Sequence, residues 1–252
     1  MLVLLALAAG CVDAASYLGL GEVLTAAMTG NTILLGLAIG QARGGAVLRS
    51  CVALMGFVLG AIIAAAIVER GARNDIWPRA VTVVLALELM VLVAFALGWH
   101  LTGDEAIDET GYQYALIGAS GMAMGMQSLA VQRLGVAGVT TTYVTGTLTQ
   151  SAVRLVRWLR SFVGPDTERP HQAAKARNPS YPLIVWLAYG AGAVAAGAVK
   201  VWWPLVLHSP IFGAVGVTLG WPPVALLLPI LVVATVVMVA AMRFWRSGIP
   251  DQ

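Results

Sequence analysis

The sequence predicts an all-α integral membrane protein, with six transmembrane helices and two re-entrant half-helices arranged as inverted repeats of three spans each. Three observations carry that reading. The composition is too apolar for a water-coated surface, the apolar runs fall into two kinds, and one motif recurs in both halves of the chain.

Solvent comes first. Of 252 residues, 59% are hydrophobic and only 11% are charged, and the mean hydropathy is +0.85. A soluble globule carries about 25% charged residues, so a lipid bilayer is this chain's medium. Disorder, collagen, disulfide-rich secreted scaffolds and ordinary cytosolic enzymes are excluded on the same grounds. The net charge of +3 does not point to nucleic acid. The basic residues separate apolar blocks and form no patch with interleaved aromatics. Cys11 and Cys51 lie in apolar stretches and suggest neither a disulfide framework nor a metal site.

A membrane helix needs about 20 mostly apolar residues. Runs of that kind cover 1–21, 23–42, 50–68, 80–99, 111–132, 134–153, 183–199 and 224–242. Residues 1–15 imitate a secretory signal, but the basic n-region is missing and the run continues past Ala15. The first run is therefore a membrane helix. Runs 23–42 and 134–153 differ, because each opens on a Thr- and Gly-rich patch, Thr25 to Asn31 and Thr140 to Thr147. β-Branched Thr and permissive Gly disfavour regular helix there, so only the second half of each run reads as helix. That is the pattern of a half-helix entering the membrane, tolerated at depth only inside protein or along a cavity.

Loop charges decide between six spans and eight. With both runs re-entrant and both termini inside, twelve Lys and Arg residues fall on the cytoplasmic side. Three (Arg43, Arg49 and Lys200) fall outside, with the acidic loop containing Asp104, Glu105, Asp108 and Glu109. Eight full spans give ten against five. The positive-inside rule favours the first arrangement. It implies a multi-pass membrane protein with both termini in the cytoplasm.

The internal repeat sets the architecture. Leu18, Gly19, Val23, Thr25, Thr29 and Gly30 recur as Leu134, Gly135, Val139, Thr141, Thr145 and Gly146, at a constant offset of 116. Each copy is preceded by one span and followed by two. The first unit is 1–101 and the second 111–246, the latter carrying a cytoplasmic loop at 160–182, all within one membrane domain. Three spans is an odd number, so the units face opposite ways. Secondary transporters are built like this, with sites near the midplane where broken helices meet.

The chain also resembles a known family. Gly10-Cys-Val-Asp13-Ala-Ala-Ser16-Tyr17, Met28-Thr-Gly-Asn31, Gly125-Met-Gln127-Ser128 and Thr142-Tyr-Val-Thr-Gly-Thr147 are similar to signatures of the YoaK-like bacterial inner-membrane proteins. The resemblance spans nearly the whole chain and implies a multispan membrane protein located in the bacterial inner membrane. It implies little about activity, since the family is one of unknown function. Here the first helix starts almost at Met1, without the short cytoplasmic lead common in that family, so orientation rests on the later loops. Extended segments leading into facing half-helices are also similar to the sulfate-permease and nucleobase-transporter fold, though function does not follow from fold.

A half-helix that starts inside the membrane exposes unpaired N–H groups and a positive dipole end of about +0.5 charge. Polar or anionic solute groups are stabilised there. Thr29, Gly30 and Asn31 are expected to open a half-helix at Thr32–Gln41, and Thr145, Gly146 and Thr147 one at Leu148–Arg157. Capping by Thr and Asn side chains is expected in either case. Asp13 falls at about the bilayer centre, where a carboxylate costs at least ~2.5–3.5 kcal/mol. It either serves a ligand or a proton, or locks the fold by bonding to the Thr-rich segment. Ser16, Thr25, Gln127, Ser128 and Thr141 complete the candidate substrate-binding set, in which Gln127 and Ser128 are the non-titratable counterpart of Asp13. Glu88, in the middle of 80–99, either faces the same cavity or pairs with Lys200 or Arg133 by snorkelling, and structural pairing is the leading expectation.

Arg154, Arg157 and Arg160 alternate with apolar residues as an inner headgroup anchor. Trp202 and Trp203 suit an outer interface belt, and Trp245 an inner one. Gly56-x-x-x-Gly60 and Gly121-x-x-x-Gly125 allow close helix approach, within one subunit or across a homodimer. His100, His171 and His208 lack metal-ligand spacing, and no nucleophile elbow or phosphate loop occurs. No enzyme and no cofactor are expected. The leading function is a small secondary transporter for a small polar or anionic solute, proton-coupled through Asp13. A passive channel and a non-transporting scaffold or sensor are the alternatives.

Overall fold

A computed structural model describes residues 1–69, 77–102, 111–134, 149, 151–153, 155–156, 181–207 and 221–247. The described residues are helical or in short connections, with no strand among them. The helices are α1 (Leu2–Gly19), α2 (Met28–Gly40), α3 (Gly44–Val68), α4 (Arg79–Thr102), α5 (Gly111–Arg133), α6 (Tyr181–Leu207) and α7 (Trp221–Ser247). Six of them are long and apolar enough to cross a bilayer. The exception is α2, whose 13 residues reach only about 20 Å against a hydrocarbon core of about 30 Å. The second Thr-rich run lies almost wholly outside the described residues, with Thr141, Thr145, Gly146, Thr147, Arg154, Arg157, Arg160 and the expected loop as far as residue 180; the last two positions of that loop, 181 and 182, already belong to α6.

Two spans form the interior. Of the apolar windows of α1 and α5, 61% is buried in each, against 22–33% for the other four spans. The polarity of α5 explains its place: Gln113, Ser120 and Gln127 are fully enclosed and could not face lipid cheaply. The two central helices run antiparallel. Gln113 Nε2 donates to Leu20 O near one end of α1, and Gln127 Nε2 donates to Leu5 O near the other, both at 3.2 Å. Around this pair the outer helices show apolar side chains such as Met55, Ile62, Val194 and Leu231 on their outward faces, as a lipid-facing surface requires.

Small residues bring the helices together. A Cβ on Gly56 or Gly60 of α3 would strike the carbonyls of Gly118 and Met122 at 2.5 and 2.0 Å. On α5, a Cβ on Gly121 or Gly125 would strike those of Ala53 and Phe57 at 2.8 and 2.1 Å. Both Gly-x-x-x-Gly motifs are therefore spent on one α3–α5 contact inside the chain. The α1–α6 contact is built the same way: a Cβ on Gly10 would meet Tyr189 O at 1.9 Å, and one on Gly192 would meet Leu7 O at 2.0 Å. Backbones this close gain dispersion contacts, which drive helix association where lipid is as apolar as the side chains.

In two of the helices that exceed their apolar runs, a basic residue inside the helix is bonded to a carbonyl. α3 starts at Gly44, ahead of Arg49, whose Nε donates to Gly21 O at 3.1 Å. α6 continues past Lys200, whose Nζ donates to Leu18 O at 2.9 Å and lies 5.2 Å from the Trp221 ring centroid. With Gln113 on Leu20 O, three side chains from three helices satisfy the last carbonyls of α1, which have no intrahelical partner. Gly21 supplies the left-handed backbone (φ 84°) that turns the chain there. Trp99 packs on Gly19 and edge-on against Trp221, with ring centroids 6.3 Å apart. Trp202 is exposed and Trp203 partly so at the same helix end, where an aromatic belt was expected.

The close contacts give a direct test. Gly60→Ala is expected to destabilise the detergent-purified protein by roughly 1–3 kcal/mol through overpacking, whereas Gly36→Ala, whose Cβ would meet nothing within 4 Å, leaves it unchanged or slightly better. Thermal unfolding of the two variants compares them.

Candidate functional site

The connection between α1 and α2 places the site. After Gly19 the chain turns and runs back without helix to Ala27, where α2 begins. This return is held by one side chain. Asp13 Oδ1 accepts the backbone N–H groups of Thr25 and Ala26, both at 2.6 Å, and Oδ2 accepts that of Ala27 at 3.0 Å. The hydroxyl of Tyr189, from α6, also donates to Oδ2, and Thr25 Oγ1 lies 3.5 Å from Oδ1. The carboxyl is 2% exposed. Ser16, one turn further along α1, shares a 3.4 Å hydroxyl contact with Thr25, and both are fully enclosed.

This arrangement corrects the expected start of the half-helix. α2 begins at Met28, not Thr32, so Thr29, Gly30 and Asn31 form its first turn. Its N-cap is Ala27, without a side-chain cap bond. The Thr and Asn side chains do not cap it; Asp13 of α1, twelve to fourteen positions earlier, holds instead the N–H of the N-cap residue Ala27 and those of Thr25 and Ala26 just before it. A carboxyl suits that position because it meets backbone N–H donors and the positive end of the helix dipole together. Asn31 does a different job: its Oδ1 accepts Leu24 N at 3.0 Å and its Nδ2 donates to Leu24 O. One side chain thus clasps both polar groups of an extended residue, in place of a strand partner.

The other candidate residues separate into two groups. Thr29 is exposed and Gly30 half-buried at the start of α2, beside the Asp13 cluster. Gln127 and Ser128 are not part of that cluster. Gln127 is fully buried but bonded to Leu5 O, eight residues or about 12 Å along α1 from Asp13. Thr141, Thr145, Gly146 and Thr147 lie outside the described residues. The functional side chain that the sequence reading missed is Tyr189. Its signal was a lone phenol in the middle of an otherwise apolar span, next to Gly190.

The expected pairing of Glu88 is also corrected. Lys200 is engaged at Leu18 O and over Trp221, and neither oxygen of Glu88 has a hydrogen-bond partner among the described residues. Among those residues no group of three or more His, Cys, Asp or Glu could hold a metal ion. Beyond the C-terminal half of α2, Gly21, Glu22, Gln41, Arg43, Arg49 and Ser50 border a cavity of about 220 Å³.

Six apolar spans, four of them packed around the two most buried, define a multi-pass membrane protein. The chain belongs to the family described as "Protein of unknown function (DUF1275)", which matches residues 1–221. It is similar to the UPF0700 transmembrane protein YoaK of Bacillus subtilis (strain 168), with 46% identity over 148 residues. That match covers 59% of this chain and 63% of the relative, less than two thirds of the relative's length. No solved structure matches. The resemblance read from the Asp13 and Thr-Gly-Asn signatures is therefore a family membership.

Removing the clamp has a defined cost. Asp13→Ala strands three buried N–H groups and is expected to lose at least about 3 kcal/mol, while Tyr189→Phe, which deletes one donor to the carboxyl, loses roughly 1.5–3 kcal/mol. Denaturant or thermal unfolding in detergent ranks the two. Equal stability of Asp13→Ala and wild type contradicts the capping role.

Proposed function

We propose that the protein is a small secondary transporter that moves a small polar solute past the tip of α2. The observation that carries this reading is the depth of that tip. Asp13 lies six residues inside the end of α1, about 9 Å along its axis, and it holds Thr25 to Ala27 at its own level. α2 is then a re-entrant half-helix that starts within the bilayer and leads out toward the cavity edged by Arg43 and Arg49. Thr29 and Gly30, in its first turn, are the groups offered to a solute. Of the polar-or-anionic class expected from sequence, uncharged and cationic members fit better, because the carboxyl of Asp13 already occupies the place an anion would take.

Alternating access needs two halves, and the packing supports an inverted repeat. Advancing by 115 residues carries Gly10 to Gly125 and Leu7 to Met122; advancing by 132 carries Phe57 to Tyr189 and Gly60 to Gly192. The Gly10–Tyr189 contact is thereby the counterpart of Gly125–Phe57, and Leu7–Gly192 that of Met122–Gly60. The antiparallel course of α1 and α5 supports opposite orientation of the two units. In this mapping Asp13 corresponds to Ser128 and Tyr189 to Phe57, so the acid and phenol belong to one half alone. The counts of positive charge support cytoplasmic termini, and the similarity to a Bacillus subtilis transmembrane protein supports a bacterial plasma-membrane location.

Two measurements test the proposal. In proteoliposomes, some member of a panel of small amines, amides, sugars and carboxylates is expected to show saturable uptake. Thr29→Val is expected to reduce it several-fold without lowering thermal stability. Uptake that never saturates indicates a channel, and none for any member, with no thermal stabilisation, indicates a scaffold. Single cysteines at Arg43 and Arg154 are expected to label from opposite sides of the membrane; labelling from one side overturns the inverted repeat.

A further inference from the structure

The bundle encloses a second acid that the Asp13 cluster does not use. Glu88 sits on the inward stripe of α4 formed with Val84, Leu85 and Leu92, and it is 0% exposed. Neither of its oxygens meets a hydrogen-bond partner among the described residues. Asp13 is in the opposite condition, with three backbone donors and a phenol on its carboxyl. Two buried acids in one bundle therefore have different chemistry.

The depth of Glu88 can be read from neighbouring contacts. A Cβ on Gly98 of α4 would lie 3.2 Å from Leu116 of α5, so these residues share a level. Trp99 on α4 and Gln113 on α5 both sit at the Gly19–Leu20 end of α1, so α4 and α5 run antiparallel. Ten residues down α4 from Gly98 is Glu88, and ten along α5 from Leu116 is Met126, the neighbour of Gln127. Gln127 uses its amide nitrogen on Leu5 O, but its Oε1 is buried without a partner. An acid and an amide oxygen unmet among the described residues thus sit within about one helical turn of the same depth on adjacent helices.

The chemistry of the pair follows. Leaving a buried acceptor unbonded costs about 1–3 kcal/mol, and an unpaired carboxylate inside a bilayer costs at least ~2.5–3.5 kcal/mol. A carboxyl carrying a proton removes the charge and supplies a donor for Gln127 Oε1, directly or through one ordered water. Little around it competes for the proton. α5 has Tyr112 and Tyr114 near its start and Arg133 at its end, α3 has Arg49 and Cys51 near its start, and α7 has no titratable residue from 221 to 242. On α1, Cys11 donates to Ala225 O and Tyr17 is exposed near the helix end. With Trp99 and Gly19 level, Asp13 lies roughly 7–8 Å nearer that end than Glu88, already saturated by donors.

We infer that Glu88 is an exchangeable proton-binding site set against Gln127 in the α4–α5 seam, and that it, rather than Asp13, carries the proton of a proton-coupled cycle. The site stands on burial and register; only its coupling rests on the transport reading above. Proton binding converts the carboxylate and a hydronium ion to a neutral carboxyl and water, with no other co-reactant.

Infrared titration of the full-length protein in lipid nanodiscs tests the site. Wild type is expected to show a protonated-carboxyl stretch that weakens as pH rises, disappears in Glu88→Gln, and moves in Gln127→Leu. Glu88→Gln keeps the side chain's size and hydrogen-bonding capacity, and Gln127→Leu leaves the acid in place, so either variant gives a reading if the other fails to fold. A titrating band that survives Glu88→Gln, a band unmoved by pH, or one unchanged in Gln127→Leu overturns the assignment. In proteoliposomes, Glu88→Gln is expected to lose accumulation driven by a pH gradient while keeping solute exchange. Unaltered pH-driven accumulation overturns the coupling. A titrating Glu88 band with no flux for any solute leaves the proton site standing and removes the transport reading.

Discussion

The carboxyl of Asp13 is the interaction on which the rest of the first half depends. Between Gly19 and Met28 the chain forms neither helix nor strand, so few of its N–H groups have the partners regular structure supplies, and on the proposed reading no water at that depth replaces them. One acid on α1 meets three of them in succession. Asn31 meets both polar groups of Leu24 from the other side. Backbone that would be prohibitive in a bilayer becomes tolerable because two side chains stand in for a missing sheet. α2 can then begin far from either helix end of its neighbours. Tyr189 extends the same bond set to α6, tying the segment to the opposite half of the chain.

The outer packing answers a different constraint. Helices in lipid gain nothing from hiding apolar surface from water, so α1–α6 and α3–α5 associate through glycine-bared backbone. That the two contacts correspond under a fixed pair of offsets has a consequence for chemistry. On the proposed inverted repeat a duplicated scaffold supplies the frame twice, while Asp13 and Tyr189 correspond by offset to Ser128 and Phe57. On the proposed reading the frame is symmetric and the site is not. Glu88 and Gln127 then add a second polar position deeper in the bundle, on α4 and α5.

Much of this was legible in the sequence, for reasons that differ by residue. The six spans could be read because length, hydropathy and loop charge locate them; their ends were drawn short in several cases, most plainly at Arg49 and Lys200, since a charge in a run looks like an end until its carbonyl partner is seen. Asp13 stood out because an acid in an apolar helix is costly. Its bonding to the Thr-rich segment was one of the two readings of that residue, and the structure shows that bonding; that Thr25, Ala26 and Ala27 contribute backbone N–H groups was not legible, because composition does not reveal it. For the same reason Asn31 was mistaken for a cap. A glycine motif shows that two backbones meet but not which two, so the α3–α5 contact needed coordinates. Glu88 was misread as half of an ion pair because charge complementarity is visible in sequence and helix rotation is not. Tyr189 was missed among ordinary aromatic residues of a span.

The depth of α2 is the claim that everything functional leans on, and site-directed spin labelling reads it most directly. Nitroxides at Thr29 and Gln41 of the protein in liposomes can be ranked by their relative accessibility to oxygen and to a water-soluble nickel chelate. The account predicts a label at Thr29 near the depth of Asp13, well inside the hydrocarbon region, and one at Gln41 close to the headgroups. Both labels at headgroup depth would show α2 lying along the membrane surface and contradict it.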